Sequence, residues 1–581
     1  MRFLRMLTNS LLAGALGAAY LTVLVLHLNP HVPLASDTTW RWFATFGLFY
    51  GVHLAALIYL LLMAREFVSL HSLSPGWASV RVLAWLAAAL AAAAAVLMWL
   101  NVRGFEVALG DTTTRRMTAA AVATSASAAV LLGIAIAHYS FGRRGSRVGA
   151  ALFVIAVFGS LALPLAARGP AVSDPPRPSS AMSPVGEISD RRVVMLLLDG
   201  ASLEYIWPRA AEGRLPNFAR LLDMGATLDL ATIRPTSPAT VWASAATGLY
   251  PYRTGVRSGS SYVAWNAPRS LDLLPDHSLS HALVHLGVVS EEPRTSDAWR
   301  SRPLWSILSN AGIRVGLVRW PLTYPAPAVN GFVVSDRYHE LIGTVMELDD
   351  AAAYPAAILP SVRLAFASPD GQPQPDVLPV VNADPRAEAP VIVAGLRDTA
   401  YSRTFRDLQP RFGARFVVMR YEGLDTIGHY YMGDTQPGVV RDTNEQDRRR
   451  HVQELDRYYA YIDAEIGAAV VALEPEDLLL VVSGFGMQQQ DALKQLAGRL
   501  LGDRTRTGSH DRAPDGFLLA YGAYVQHARL QRGSIVDVAP TVLYYLGLPV
   551  GRDMDGYART DIFVQNFRAE RPIAFIPSYN K

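Results

Sequence analysis

The 581-residue chain contains no cysteine. Disulfide bridges, thiolate catalysis and cysteine-type zinc sites are therefore excluded, and any metal must be bound by Asp, Glu or His side chains. The chain also lacks a strong excess of either charge, since 53 basic and 50 acidic residues leave a formal net charge of +3. A nucleic-acid partner requires a pronounced basic excess, so we expect no such partner.

Hydrophobic residues make up 51% of the chain, and their excess is confined to its first third. Crossing a bilayer takes about 20 apolar residues, and five segments are long enough. These segments are residues 10–28, 45–63, 82–100, 118–138 and 148–166. The first has the short basic start of a signal peptide, but four spans follow it and no convincing cleavage site is present. We therefore interpret it as a retained helix.

The basic residues of the short loops predict the orientation of these spans. With a cytoplasmic N-terminus, seven lie inside, namely Arg2, Arg5, Arg65, Arg81, Arg143, Arg144 and Arg147. Four lie outside, namely Arg41, Arg103, Arg115 and Arg116. An odd number of spans then places everything after residue 166 outside the cytoplasm. We expect an integral protein of a bacterial-type inner (plasma) membrane, in contact with bilayer lipid, with its C-terminal domain in the periplasm.

The chain divides into a membrane domain at 1–168, a Pro- and Ser-rich linker at 169–190 and a domain at 191–581. In the last domain strands and helices alternate, which predicts an α/β fold with a largely parallel sheet and helices on both faces. Buried strands are expected within 191–200, 314–319, 416–420 and 478–483, and insertions near 257–336 and 351–397.

The run at 191–200, RRVVMLLLDG, is predicted to be a buried strand that ends at Asp199. Ligands of open α/β sheets gather beyond the carboxyl ends of the strands, so Asp199 is a candidate ligand for a metal or a phosphate-binding group. The simpler alternative is an ordinary helix N-cap. Three hydroxyl residues, Thr236, Ser237 and Thr240, precede an Ala-rich helical stretch whose N-terminus suits an anionic phosphate. Plain capping is again the alternative.

Asp425 and His429 are four residues apart, so on a helical turn their side chains lie on one face and are candidate ligands of one metal. By itself this spacing is a weak signal. His510, in the polar loop Gly-Ser-His-Asp, is a candidate third ligand, although a single histidine in a loop is more often solvated.

Taken in chain order, these segments resemble the alkaline phosphatase superfamily, specifically its type I phosphodiesterase/nucleotide pyrophosphatase branch. The similar features are the strand-Asp-Gly, the hydroxyls before T-G-x-Y-P, D-x-x-G-H, V-V-S-x-x-G-M and G-S-H. Residues 213–225 and 534–556 resemble further segments of the family. The resemblance covers about residues 191–563 and leaves the membrane region outside.

The resemblance implies an alkaline-phosphatase-like fold with two adjacent zinc-type sites. One site would use Asp425, His429 and His510. The other would use Asp199, the hydroxyl nucleophile and an Asp-His pair, but Gly484 and Phe485 occupy the positions of that pair. We therefore expect a divalent cofactor, with zinc the expected metal, at one intact site and a second site that lacks ligands.

Among the hydroxyls, Thr236 is the expected nucleophile because it follows Arg234-Pro235 at the end of a predicted strand, with Ser237 second and Thr240 third. We expect a membrane-anchored, extracytoplasmic, metal-dependent hydrolase of phosphate esters, acting on a phosphorylated small molecule, lipid or glycan. Two alternatives stay open. One is transfer of a phospho-headgroup to a glycan or lipid acceptor, and the other is a catalytically impaired protein that binds a phospho-ligand.

Overall fold

The structure of the protein is a computed structural model that describes residues 2–68, 80–140, 147–173, 177–178, 190–341, 350–366, 389–435, 444–490, 507–511 and 514–580. The chain forms two compact units. The first comprises Met1–Asp174 together with Ser260–Pro293, and the second comprises Pro175–Gly259 together with Arg294–Lys581. A segment from within the predicted α/β domain therefore belongs to the unit of the apolar helices.

Long apolar helices build the first unit. They are α1 (Arg2–Leu28), α2 (Asp37–Phe46), α3 (Val52–Val68), α4 (Val80–Leu109), α5 (Asp111–Ser140) and α6 (Arg147–Arg168), with a π-helical turn at Gly47–Gly51. Within the described residues, five stretches are long and apolar enough to cross a membrane: Phe3–Leu28, Asp37–Phe67, Val80–Leu109, Asp111–His138 and Arg147–Arg168. This confirms the predicted number of apolar spans, and each helix extends beyond the apolar run that predicted it.

Strands β1 to β8 are β1 (Val193–Leu198), β2 (Ala226–Ala231), β3 (Ser260–Ala264), β4 (Val289–Pro293), β5 (Val315–Val318), β6 (Gly331–Val334), β7 (Ala353–Tyr354) and β8 (Phe416–Tyr421). The others are β9 (Leu478–Phe485), β10 (Gln488–Gln489), β11 (Gly508–Ser509), β12 (Asp515–Tyr521), β13 (Ala528–Arg529), β14 (Gly533–Ser534), β15 (Val550–Gly551) and β16 (Phe575–Ile576). The main sheet of the second unit has the order β13-β2-β12-β9-β1-β8-β5-β6-β7, and β14 also pairs with β2.

The centre of this sheet is parallel, because β9, β1, β8, β5 and β6 all run the same way. Strand β12 is antiparallel to both of its neighbours, and β7 is antiparallel to β6. Every residue of β1, β8 and β9 is buried, as expected for strands covered on both faces. The predicted largely parallel α/β fold is therefore confirmed.

Helices α7 to α13 are α7 (Leu203–Ala211), α8 (Pro216–Met224), α9 (Pro238–Thr247), α10 (Pro251–Thr254), α11 (Ala282–His285), α12 (Leu304–Asn310) and α13 (Tyr338–Leu341). The remaining helices are α14 (Leu359–Phe366), α15 (Ala389–Phe412), α16 (Gly423–Tyr431), α17 (Glu445–Val471), α18 (Val538–Tyr545) and α19 (Gln565–Glu570). The predicted insertion at 351–397 contains β7, α14 and the start of α15, but 367–388 lie outside the described residues, as do 174–176 and 179–189 of the predicted linker.

Two buried asparagines join the segment Ser260–Pro293 to the apolar helices of the first unit. Asn29 accepts hydrogen bonds from the backbone N–H groups of Asp272 and Leu273 and donates to the Leu273 carbonyl at 2.8 Å. Asn101, about two turns before the end of α4, accepts from the N–H of Asp276 and donates to its carbonyl. Because a buried amide is costly to leave unpaired, these bonds specify where the segment packs.

Candidate active site

Charged side chains follow the carboxyl ends of three neighbouring strands. Arg319 comes directly after β5, Glu422 after β8 and Asp199 after β1. Arg420, within β8, has Leu197 of β1 as its Cα partner and so lies close to the end of that strand. Parallel strands bring their carboxyl ends to one edge of the sheet, and there these four residues meet.

Asp199 is fully buried and both of its oxygens have partners. Oδ1 accepts a hydrogen bond from Trp242 Nε1 at 2.6 Å, and Oδ2 accepts two from Arg420, from Nε at 3.0 Å and Nη2 at 2.5 Å. Burial raises the pKa of Asp199, while the Arg420 guanidinium acts against that shift. Burial alone would lower the pKa of Arg420, but Asp199 and Glu422 outweigh it and raise that pKa further. The assignment of Asp199 as a metal ligand stays a prediction, and its observed partner is a guanidinium.

A second buried arginine continues this network. Arg319 is 2% exposed and pairs with Asp398 and with Glu422, the latter at 2.8 Å. Glu422 Oε2 also lies 3.7 Å from Arg420 Nη1, so it bridges the two guanidiniums. Burial by itself would raise the pKa of Glu422, but Arg319 and Arg420 lower it to about 2. Glu422 is therefore ionised throughout the physiological range.

Arg319 has a φ of +64°, which is uncommon for a residue with a side chain. The backbone conformation costs free energy that the buried contacts of Arg319 must offset. Besides its ion pairs, its guanidinium lies 4.8 Å from the centre of the Tyr401 ring. Asp398, its partner, also accepts hydrogen bonds from Tyr458 Oη and from the Gly423 N–H at the start of α16. The network thereby holds the helix that carries Asp425 and His429.

Asp425, His429 and His510 form a group whose potential ligand atoms all lie within 4.8 Å of one another. His429 Nε2 and His510 Nε2 each lie 3.6 Å from an oxygen of Asp425. His429 Nδ1 lies 3.0 Å from the Gly508 carbonyl, which can only accept. Nδ1 therefore donates to this carbonyl, which leaves Nε2, the nitrogen on the Asp425 side, as the one available to a metal.

Unpaired polar atoms support a cation at this group. Asp425 Oδ1 and His510 Nδ1 are buried and have no hydrogen-bond partner among the described residues. Such atoms are costly to bury unless something satisfies them. The donor set, one carboxylate and two imidazoles, is typical of a catalytic zinc site, which keeps a fourth position open. These three residues therefore fit one divalent metal.

Two glycines allow the elements of this group to come together. A Cβ on Gly508 would lie 2.1 Å from the carbonyl oxygen of Gly428, so only glycine lets the His510 loop approach α16 this closely. Gly200 has a φ of +72°, and a Cβ there would lie 2.9 Å from Asp425 Cα. The end of β1 can therefore turn directly against the helix that carries Asp425.

The positions that would complete a second metal site do not fit a metal. A Cβ on Gly484 would lie 2.4 Å from Val241 Cγ1, which leaves no space for an acidic side chain. Phe485 is fully buried and its ring packs 5.0 Å from that of His510. With both oxygens of Asp199 bonded to Arg420 and Trp242, no free ligand remains among the residues that the resemblance assigns to this site, apart from the hydroxyl nucleophile.

The predicted hydroxyl residues lie at the start of α9. Ser237 is its N-cap residue, but its side chain makes no capping hydrogen bond. Thr236 and Thr240 are buried, and their Oγ1 atoms have no hydrogen-bond partner within the described parts of the chain. The first turn of α9 thus combines free hydroxyl groups with a helix N-terminus, which favours an anionic ligand. The choice of Thr236 over Ser237 stays a prediction.

A cavity of about 420 Å³ opens at the start of α16, the helix that carries Asp425, and at the start of α15. Its wall includes Arg319, Arg397, Glu422 and Thr426, together with apolar residues from the first turns of α15. The two guanidiniums make this wall favourable for an anionic group. The cavity is within the usual size of small-molecule sites, about 300–1,000 Å³.

Three of these residues were missed by the sequence patterns, namely Arg420, Trp242 and Arg319. Arg420 is the last residue of the predicted strand at 416–420, and Trp242 lies in the Ala-rich stretch after the hydroxyls. One signal was available. Without the Asp-His pair a metal next to Asp199 lacks ligands, so a buried Asp199 needs a positively charged side chain instead. Arg420, at the end of the neighbouring strand, is such a side chain.

A family model described as type I phosphodiesterase/nucleotide pyrophosphatase matches residues 193–523, more than half of the chain. A search of curated proteins found no match. Among solved structures, murine ectonucleotide pyrophosphatase/phosphodiesterase 5 is similar at 12% identity with a TM-score of 0.36, over 64% of this chain and 100% of that one. An inactive variant of the murine protein in complex with AMP matches with the same values.

Proposed function

The chain belongs to the type I phosphodiesterase/nucleotide pyrophosphatase family, and from this premise we propose that it is a membrane-anchored, metal-dependent hydrolase of phosphate esters with one metal ion. The observation that carries the proposal is the group of Asp425, His429 and His510, with its two unpaired buried atoms. We propose zinc as the metal, because the donors are two imidazoles and one carboxylate. A divalent ion held there supplies Lewis-acid polarisation of a phosphoryl oxygen.

The residues of the chain have separate tasks in this proposal. Arg420, held by Asp199, places a fixed positive charge where the family resemblance implies the second metal. The Thr236 hydroxyl is the nucleophile: its oxygen bonds to phosphorus as the bond to the ester oxygen breaks, and its proton is taken up by the departing oxygen. Water then cleaves the resulting phospho-threonine, which releases the phosphate product and restores the hydroxyl. The backbone N–H groups of the first turn of α9 stabilise the negative charge that develops on the phosphoryl oxygens.

We propose that the second unit lies outside the cytoplasm, in the periplasm of a bacterial-type cell. The support is the excess of arginines in the short loops of one side and the odd number of candidate spans. Arg168, the last residue of α6, donates hydrogen bonds to the carbonyls of Leu26 and Asn29, so α1 and α6 end at the same end of the first unit. A reporter fused after residue 168 should be active only when exported, and activity only in the cytoplasm would overturn this orientation.

Metal analysis of the purified full chain tests the hydrolase proposal. We expect about one zinc-type ion per chain and turnover of bis(p-nitrophenyl) phosphate. His510→Ala should lose both, because it removes one of three ligands. His527→Ala is the matched control, since His527 is an exposed histidine of the same unit outside the ligand group. A correctly folded wild-type protein without metal would refute the proposal, as would an active His510→Ala variant.

Gly484 and Phe485 favour a second candidate function, binding of a phospho-ligand without turnover. The two candidates differ in one measurement. If the wild-type protein binds one metal ion and a non-hydrolysable phosphonate but shows no turnover, it is a binding protein. If Thr236→Ala abolishes turnover while metal content and phosphonate binding persist, the hydrolase hypothesis is supported and Thr236 is the nucleophile. Loss of turnover in Ser237→Ala alone would reassign the nucleophile to Ser237.

A further inference from the structure

The first unit contains an apolar cavity of about 410 Å³ between α1, α3 and α4. Leucines form much of its wall, namely Leu21, Leu24, Leu54, Leu57, Leu90 and Leu97. These helices are long and apolar enough to cross a membrane. A space lined in this way offers water few polar partners, so its favourable content is hydrocarbon.

The cavity follows the helices toward the two asparagines that hold the segment Ser260–Pro293. On α1 its lining residues run from Gly17 to Leu24, about 10 Å at 1.5 Å per residue, and Asn29 follows. On α4 they run from Leu90 to Leu97, and Asn101 follows. Beyond the leucines the lining therefore approaches the segment that Asn29 and Asn101 bind.

Ser278, which belongs to that segment, is part of the cavity wall. Its hydroxyl donates to the Pro275 carbonyl at 2.9 Å and lies 2.5 Å from Ser280 Oγ. Tyr50, from the π-helical turn, also lines the cavity, and such turns are frequent at functional sites. The lining thus combines a long hydrocarbon wall with a few hydroxyl groups and the imidazole of His53, which matches an amphiphile.

The cavity is accessible from the outer surface of the helices. Leu57 is 54% exposed, and Ala93 is also exposed, yet both line the cavity. In a bilayer these residues face lipid, so a lipid chain can enter sideways without passing through water. A phospholipid is the amphiphile that a membrane supplies in excess.

We propose that this cavity binds one acyl chain of a membrane phospholipid, with the phosphate-bearing head toward the segment Ser260–Pro293. That segment lies within the stretch matched by the phosphodiesterase family, although it packs on the apolar helices. The class of ligand is thus a phosphate ester with a hydrocarbon anchor. That such a lipid is also a substrate rests on the proposed function, whereas binding of the chain does not.

Photo-cross-linking of the full-length protein tests this inference. The probe is phosphatidylglycerol with a diazirine in its acyl chain, added to protein in nanodiscs of otherwise unlabelled phospholipid. We expect cross-links on α1 and α4, and at least a five-fold lower yield in Ala94→Phe, whose ring fills the cavity. Ala92→Phe is the matched control, since Ala92 is an exposed alanine of α4 outside the lining.

Equal labelling of the wild type and both variants would overturn the inference, as would cross-links confined to residues outside the lining. A diazirine fatty acid that labels the cavity while the phospholipid does not would also contradict it. Cross-linking needs no turnover, so it remains interpretable if the hydrolase proposal fails. If turnover is present, all three proteins should hydrolyse bis(p-nitrophenyl) phosphate equally, because this soluble ester has no acyl chain.

Discussion

Replacing Asp199 by Asn separates its contribution to stability from a contribution to metal binding. The asparagine keeps an oxygen for Trp242 Nε1 but turns an NH₂ group toward the Arg420 guanidinium, which is itself a donor. Asp199 is fully buried and Arg420 is 5% exposed, so the guanidinium loses its closest partner where bulk solvent has little access to replace it. Removing one partner of a buried ion pair costs about 3–5 kcal/mol.

A loss of this size is measurable as a shift in the melting temperature. In domains of 150–250 residues 1 kcal/mol corresponds to roughly 2–4 °C, and less in larger ones, so we expect Asp199→Asn to lower Tm by about 5 °C. Because Arg420 rather than a metal is the partner of Asp199, the bound metal should stay at its wild-type level. Thermal unfolding of the full chain and metal analysis of the same samples measure both effects.

Asp407→Asn provides the control for this experiment. Asp407 pairs with Arg411 at 2.9 Å on α15, but both side chains are about half exposed. Exposed pairs contribute about 0–1 kcal/mol, so this variant should melt close to the wild type. The reasoning is refuted if Asp199→Asn melts like the control, or if it loses metal while keeping its melting temperature. The second result would restore Asp199 as a ligand.

Three further predictions concern neighbouring residues. Gly484→Asp restores the residue type that the family resemblance implies. It should lower Tm without adding a second metal, because its Cβ would lie 2.4 Å from Val241 Cγ1. A second bound ion in metal analysis would contradict this prediction. Trp242→Phe should destabilise by about 1.5–3 kcal/mol in unfolding measurements, because it removes one donor to the buried Asp199, and an unchanged Tm would show that this bond is unimportant. Burial, with Arg319 and Arg397, lowers the pKa of His339 from 6.5 to about 3. Between these pH values the unfolded chain binds a proton that the folded chain does not, so stability should fall as pH falls, by up to about 1.4 kcal/mol per pH unit. His339→Gln should remove this part of the slope, and an unchanged slope would refute it.

The elements that bear the site were predictable because each leaves a local signal. The buried run at 191–200 predicts β1 and the position of Asp199 after it, and the stretch at 416–420 predicts β8. Hydrophobic patterns of this kind depend only on nearby residues, so they can be read from the sequence. The spacing of Asp425 and His429 likewise depends on a single turn of α16.

The partner of Asp199 was not predictable in the same way. Arg420 lies 221 residues away, and only the register of β1 against β8 brings the two together. In the sequence, Arg420 is the arginine that ends an apolar run, and an arginine in that position is usually exposed to solvent. Trp242 gave no signal at all, because tryptophans in Ala-rich helices are generally core residues. Long-range pairing therefore determined the part of the site that the patterns missed.

The segment Ser260–Pro293 shows, at the level of domains, that local sequence patterns do not reveal long-range packing. Its turn-rich sequence predicted an insertion of the α/β domain, within 257–336. In the structure it packs with the apolar helices through Asn29 and Asn101. Two asparagines at the ends of apolar spans resemble ordinary helix termini, so their role becomes visible only when the backbone they bind is in place.

The charges around Asp199 give an independent reason to expect a single divalent ion under the proposed function. Arg420 donates two hydrogen bonds to Asp199 Oδ2, and its guanidinium is buried beside that carboxylate. A second ion bound there would add positive charge next to a buried cation, with no ligand beyond Asp199 to offset it, which is costly. Gly484 and Phe485 provide no such ligand, so electrostatics and geometry both favour one metal.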